Sequence, residues 1–199
     1  MPRLSPERAA LKRRQIMDAA LAAFAERGFH DATMQDVVRE SGLSPGSIYS
    51  HFTSKEEILH AVVEARHRAD AAILEHAFDA KTLDEALTML ADAFLPSPAR
   101  HEDRLWRRLA VQLWGESLHD AALLKVVRDG VDRPVQMLMD LLRKAQRRGE
   151  LARHLAPEPT ARLLIAAFQG IVLQQTWDET VDAAACVRVL RQLLAMAPR

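Results

Sequence analysis

The sequence predicts an all-α fold, with an N-terminal three-helix helix-turn-helix domain at 1–53 and a larger helical domain at 54–199. Three observations carry this. Ala (33) and Leu (27) dominate the 199 residues, whereas Gly numbers 7 and aromatic residues reach only 5%, so strong helix formers prevail and strand-type alternation is scarce. Apolar residues recur at helical spacing in segment after segment. Ser, Thr and Asp stand at the starts of these segments and Gly at several ends, where orphan backbone groups need them.

Composition also narrows the function. The 27 basic and 27 acidic side chains balance, which excludes a strongly basic footprint over the whole chain. Locally the balance breaks: residues 1–14 hold Arg3, Arg8, Lys12, Arg13 and Arg14 against Glu7, five cations less one anion, a basic arm of net +4. One cysteine excludes a disulfide framework or a Cys-rich zinc module and fits a reducing compartment. The longest apolar run, Ala19–Ala25, is far shorter than a membrane span. Asp18 and Glu26 bracket it, so no export signal is read and a cytoplasmic location is expected.

The elements follow in order. Pro6–Arg27 is helical, with Ile16, Ala19, Ala20, Ala23 and Phe24 on one face; Gly28 ends it in a left-handed cap over which Phe29 folds back onto Phe24. Thr33 opens a short helix in capping-box register with Asp36, Ala32 and Val37 forming the hydrophobic staple. Gly42 ends that helix. Ser44 is the next N-cap, Pro45 the first helical residue, and a third helix spans Pro45–Phe52. Ser54, with Glu57 completing Ser-x-x-Glu, starts a fourth that runs to about Phe78. Two short helices around Gly42, covered by a preceding amphipathic helix, make a helix-turn-helix arrangement.

Further helices are expected at Leu83–Leu95, stopped by Pro96-Ser-Pro98, and at Arg100–Leu118. Another runs from Asp120 to Arg148, with a kink or break near Gly130–Pro134. Pro157-Glu-Pro159-Thr160 opens a helix to about Trp177, and Asp182 opens the last one to Met196.

The third helix divides into two sides. Ile48 and Phe52 face the small core with Val37, Val38 and Phe24. Ser47, Tyr49, Ser50 and His51 face away, with Pro45 and Gly46 at the tip. Small residues at a helix N-terminus let backbone N–H groups approach phosphate, and hydroxyl and phenol groups bond phosphates or base edges. Thr33 and Lys55, at other helix starts, face the same way. The competing interpretation is a generic helical hairpin with a wet polar face.

The stretch Ile16–Val63 resembles the TetR family of transcriptional regulators. The matching residues are Ile16-Met-Asp-Ala-Ala-Leu-Ala-Ala-Phe24, Gly28-Phe29, Thr33-Met-Gln-Asp-Val-Val-Arg-Glu-Ser-Gly-Leu-Ser44, Gly46-Ser-Ile-Tyr-Ser-His-Phe52 and Lys55-Glu-Glu-Ile-Leu59. The resemblance implies a homodimer placing one recognition helix per subunit into successive major grooves of a palindromic operator. It implies DNA contacts by Thr33, Ser47, Tyr49, His51 and Lys55, with Pro45 and Gly46 at the tip. It also implies that residues 54–199 form an effector-binding and dimerisation domain, and that a small molecule, most simply by relieving repression, alters DNA binding. No cofactor is expected.

The helix after Pro159 carries two apolar stripes: Leu164, Phe168, Ile171 and Val172 on one, Leu163, Ala167 and Gly170 continuing toward Gln174 and Trp177 on the other. The last helix repeats this, with Val187, Leu190 and Leu194 beside Cys186, Val189 and Leu193. Two-sided helices need two neighbours, and residues alone leave open whether the second is in the same subunit. The resemblance favours a dimer through Leu163, Ala167, Gly170, Ile171, Gln174, Val187, Leu190 and Leu194. A pocket for a lipophilic or aromatic effector is expected among the middle helices, lined by Trp106, Leu109, Leu113, Trp114, Met137, Leu141, Phe168 and Trp177, with Gln112, Glu116 and Gln169 orienting the ligand.

Three other classes compete. Gly42-Leu-Ser-Pro-Gly46 matches the Gly-x-Ser-x-Gly elbow of serine hydrolases, but that chemistry needs a strand before Ser44 and Met34–Ser41 has helical period. His60, Glu64 and His67 share a helix face at metal-ligand spacing, a face that is ordinarily solvated. A helical adaptor would lack salt-dependent affinity for duplex DNA. Cys186 sits in an apolar stripe without a basic neighbour, as an inert thiol does.

Overall fold

The computed structural model describes residues 5–95 and 100–195, apart from the side chains of Ala93 and Ala195. The expected stop at Pro96-Ser-Pro98, the end at Met196 and the arm residue Arg3 lie outside the described residues. Among the described residues all regular structure is helical: α1 (Pro6–Arg27), α2 (Met34–Ser41), α3 (Pro45–Tyr49), α4 (Lys55–Phe78), α5 (Leu83–Phe94), α6 (His101–Glu116), α7 (Ala121–Arg148), α8 (Pro157–Trp177) and α9 (Ala183–Ala195).

Local chemistry sets most of these bounds. The Ser5 hydroxyl caps α1 by accepting from Arg8 N–H at 3.4 Å, and the Phe29 ring meets Phe24 edge-on with centroids 5.3 Å apart. Thr33 and Asp36 form a complete capping box. Gly42 then adopts φ 66°, ψ 11°, a left-handed conformation that costs an L side chain energy and glycine almost none. Ser44 accepts from Ser47 N–H at 3.3 Å and starts α3, which ends at Tyr49 rather than Phe52. At α4, Ser54 accepts from Glu57 N–H at 3.2 Å. The Glu57 carboxylate reaches one residue further back than a capping box requires, to the N–H and hydroxyl of Thr53 at 2.7 and 2.8 Å.

The chain forms two compact units. One contains the described residues up to Arg66 together with Arg108–Val126; the other contains His67–Arg107 and Val127 onward. The division between these units falls within α4, after Arg66. The first turns of α4 contribute Ile58, Leu59 and Val62, all buried, so they group with the helix-turn-helix. In this first unit Ile16, Phe24, Val37, Ile48, Phe52, Ile58 and Leu109 are fully buried. Sequestering an Ile or Phe of this kind contributes about 1.5–3 kcal/mol. Within the unit α1 and α2 make the most extensive helix–helix contact.

The second unit has its own core, with Ala77, Leu83, Ala86, Val135, Leu138, Leu142, Ala145, Leu151, Ala161 and Leu164 buried together. Helix α7 runs unbroken through Pro134, where a kink or break was expected; of the two, the break does not occur. A proline here forfeits one backbone bond and crowds the carbonyl four residues earlier, a cost of about 3 kcal/mol. The continuous burial of Val135, Leu138, Met139, Leu141, Leu142 and Ala145 outweighs it. Gly149 (φ 75°) ends the helix, and Glu150 N–H closes back on Ala145 O at 3.0 Å.

Two outcomes follow for stability. A Cβ added at Gly42 would meet nothing within 4 Å, so Gly42→Ala should cost only its backbone strain, roughly 1–2 kcal/mol, read as a lowered midpoint in urea denaturation. Asp36 accepts from the Thr33 hydroxyl and backbone N–H and from Arg39, which hold its carboxyl below the usual carboxylate range. Because its folded-state pKa is depressed, its stabilisation is complete above the ordinary value and is lost as pH falls through and below about 4. Wild type should therefore lose more stability than Asp36→Asn on acidification below that point, measured by denaturation at a series of pH values.

Candidate nucleic-acid interface

Helix α3 is too short to persist alone; nucleation is costly and one turn returns few bonds. It is held from one side. Ile48 and Phe52 are fully buried, while Ser44, Pro45, Gly46, Tyr49 and Ser50 are exposed and Ser47 and His51 half-buried. Tyr49 keeps 53% of its surface exposed, which leaves its ring and hydroxyl accessible to a partner.

Long polar side chains from elsewhere in the first unit fasten the helix ends. Gln15 Nε2 donates to Ser41 O, the last residue of α2, at 2.8 Å. The Arg13 guanidinium lies 4.1 Å from the Phe52 ring centroid and donates to His51 O at 3.4 Å. Arg13 therefore braces the end of α3, whereas the sequence reading counts it only in the basic arm. No signal in the sequence pairs residues 38 positions apart. Asp36 gathers Arg39 at 2.6 Å and Arg27 at 3.4 Å.

The hydroxyls separate into two groups. Ser44 is committed as the α3 cap, and Ser50 donates to Ser47 O at 2.7 Å. Thr33 donates to Asp36 Oδ2 at 2.7 Å and accepts Asp36 N–H at 3.2 Å. By contrast, Ser47 Oγ and Tyr49 Oη make no hydrogen bond to the described residues. An added Cβ at Gly46 would meet nothing within 4 Å, so the tip of α3 is open to close approach. Lys55 is engaged within the protein. Its ammonium donates to the carbonyls of Phe29, His30 and Ala32 at 2.8, 2.7 and 2.9 Å, so all three of its protons are directed into the protein.

A left-handed glycine joining two capped short helices, with one polar and one buried face on the second, is a helix-turn-helix built for a duplex groove. The family described as "Bacterial regulatory proteins, tetR family" matches residues 16–62, and "BetI-type transcriptional repressor, C-terminal" matches residues 83–198. The chain belongs to the TetR family.

This TetR-family protein is similar to the transcriptional regulator UidR of Escherichia coli K12, at 25% identity over 183 residues covering 92% of this chain and 90% of UidR. Its fold matches FadR of Bacillus subtilis in complex with stearoyl-CoA, with TM-score 0.78 and 20% identity over 94% of this chain and 99% of that one. It also matches SmeT in complex with triclosan, with TM-score 0.78 and 23% identity over 92% and 91% of the two chains. It is thus a DNA-binding transcriptional regulator and not an enzyme. Ser44, the residue of the hydrolase-like motif, follows a helix and a left-handed glycine, and no strand occurs among the described residues.

The expected effector residues of this regulator divide between the two units. Leu109, Leu113 and Trp114 belong to the first unit, where the two leucines are buried; Trp106, Met137, Leu141, Phe168 and Trp177 belong to the second. Leu141 is core and Trp177 is 74% exposed, while Phe168 packs edge-on against Phe94 at 5.8 Å. Two of the residues expected to orient a ligand are engaged in the first unit: Gln112 donates to Ala25 O at 3.2 Å and Glu116 pairs with His30 at 2.7 Å. The second unit instead carries a shallow depression of about 560 Å³ lined by Ala72, Ile73, His76, Met89 and Asp92, none of which the sequence had singled out. Among the described residues no three His, Cys, Asp or Glu side chains, His60, Glu64 and His67 included, converge to hold a metal ion, and no helix is long and apolar enough to cross a membrane.

The expected dimer residues also divide. On α8, Leu163 (66% exposed) and Gln174 face outward, Ala167 and Gly170 are half-buried, and Ile171 is buried in its own unit. On α9, Leu190 and Leu194 pack against the second core and Val187 is half-buried, whereas Val189 and Leu193 are 54% and 61% exposed. The stripe expected at an interface on α9 is therefore the inward one. Sequence period could not separate them, because both stripes are apolar.

Removing the exposed phenol should affect DNA alone. Tyr49→Ala is expected to weaken duplex binding by about 1–3 kcal/mol without moving the thermal midpoint, checked by mobility shift and circular dichroism. Tyr49→Phe separates the hydroxyl from the ring.

Proposed function

We propose that this TetR-family regulator is a repressor that binds a palindromic operator as a homodimer and leaves it when a small lipophilic or aromatic effector binds. The observation that carries the DNA half is the outward pair Ser47 and Tyr49, whose hydroxyls have no hydrogen-bond partner among the described residues, on a helix whose other side is anchored. In this reading Ser47, Gly46 and Pro45 approach base edges, and Tyr49, His51 and the Thr33 region meet backbone phosphate. Arg8, Lys12 and Arg14 on α1 add charge attraction, which salt weakens.

The dimer half rests on exposed apolar surface in the second unit. Leu163, Trp177, Val189 and Leu193 remain uncovered in one subunit, and an exposed patch of large apolar side chains needs a partner. Ala166, Ala167 and Gly170 between them are small enough for a second helix to come close. A twofold arrangement covers both helices with their symmetry mates. The interface we assign is therefore Leu163, Ala167, Gly170, Gln174 and Trp177 of α8 with Val189 and Leu193 of α9.

The effector is assigned to the second unit, where Trp106, Met137 and Phe168 are half-buried. The triclosan and stearoyl-CoA bound to SmeT and FadR are apolar or amphipathic molecules, which supports a lipophilic class without identifying the compound. Such a ligand changes DNA binding only by preferring one conformation of the regulator to the other.

Selection of bound duplexes from a random pool at defined salt tests the function. A palindromic consensus with half-sites about 10 base pairs apart is expected; no enrichment and no salt-dependent affinity would identify an adaptor. The double variant Trp177→Asp, Leu193→Asp should sediment as a monomer and lose the palindrome, while its helicity persists. A dimer of unchanged affinity would move the interface elsewhere.

A further inference from the structure

We propose that Arg107 of α6 and Gln175 of α8 form the polar end of the effector site, and that they hold an organic acid with a hydroxyl beside its carboxylate. This rests on the reading that a small effector enters the second unit, and it names the chemistry of that ligand's polar end.

Both side chains occupy positions that an apolar residue would fill at less cost. Helix α8 turns Leu164, Phe168, Ile171 and Val172 inward, and the same stripe ends on Gln175, at the spacing of one continuous helix face. Gln175 is 1% exposed and Arg107 3%, and both belong to the second unit. Gln175 Nε2 donates to Val181 O at 3.2 Å, which fixes the amide one way round, and its Oε1 accepts no hydrogen bond. A buried acceptor in this state costs stability.

Both side chains answer to the turn after α8. That turn carries Val181, the partner of Gln175, and Glu179, the carboxylate that most favours the Arg107 charge. Asp178 closes it by accepting from the N–H and hydroxyl of Thr180 at 2.9 and 2.6 Å. Burial pushes the Arg107 guanidinium below its usual range, and the attraction of Glu179 and Asp103 does not restore it. Perturbed charges of this kind gather where a protein binds or reacts.

The two groups ask for complementary atoms. A guanidinium only donates, and a carboxylate meets its planar fork with two bonds. Gln175 Oε1 only accepts, so it needs an O–H or N–H. A carboxylate with a neighbouring hydroxyl supplies both from one small group, and the apolar stripe of α8 suits a hydrocarbon or aromatic body. A plain acid would satisfy Arg107 alone, and a plain alcohol Gln175 alone.

Three probes of one skeleton test this on the intact chain without DNA, by calorimetry and thermal melting. Mandelate carries both groups, phenylacetate lacks the hydroxyl, and styrene glycol lacks the carboxylate. Mandelate at millimolar concentration should bind and raise the melting temperature. The other two should bind at least about tenfold more weakly. Equal affinity for all three, or no binding of mandelate, overturns the proposal.

Arg107→Met should reduce mandelate to the level of styrene glycol, and Gln175→Leu should bind mandelate and phenylacetate alike. A lowered melting point with mandelate affinity unchanged shows merely structural residues and also overturns it. If either variant fails to fold, the wild-type series decides by itself. Release of the enriched palindrome is read separately. Mandelate that binds in the expected pattern but leaves the operator complex intact supports the site and defeats the effector-release reading. Release by an uncharged lipophilic compound, with no mandelate binding, keeps that reading and defeats this proposal.

Discussion

A five-residue helix has to be held by its surroundings, and that requirement organises the first unit. Ile48 and Phe52 anchor α3 from one side, Gly42 supplies the backbone reversal that α2 and α3 need, and neighbouring elements take up the carbonyls at the exits. Gln15 and Arg13 cross from α1 to carbonyls at the end of α2 and just past α3, and Lys55 crosses from α4 to carbonyls of the loop before α2. A helix braced in this way can present its other face as a rigid surface, which lowers the ordering cost of meeting a duplex.

This bracing sorts the charges. The chain is neutral overall, yet the cations near α3 do unlike work. Arg27 and Arg39 neutralise Asp36, Arg13 covers Phe52, and Lys55 turns inward. Arg8, Lys12 and Arg14 of α1 make no ion pair with the described residues. The footprint of such a regulator is thus set by which cations the fold leaves unengaged, more than by net charge.

The second unit solves a different problem with the same periodicity. Helices α8 and α9 are apolar on two sides; one side of each joins the core around Val135, Leu142 and Ala161, and the other presents Leu163, Trp177, Val189 and Leu193. A second seam of this kind is costly to leave in water.

Local residue patterns account for the all-α class, the order of the helices and most of their ends. They also account for which face of α3 is polar. These features depend on interactions spanning at most about four residues: N-caps, left-handed glycines and the 3.6-residue period. The tertiary structure alone decided that α7 continues through Pro134, that Lys55 and Arg13 bind backbone carbonyls, and that the inward stripe of α9 is Leu190 and Leu194. Each of those outcomes depends on groups brought together from distant parts of the chain, 23 to 38 residues apart for the two cations. A pattern of residue types records that a side chain is charged or apolar, but not which of several partners packing will bring within reach.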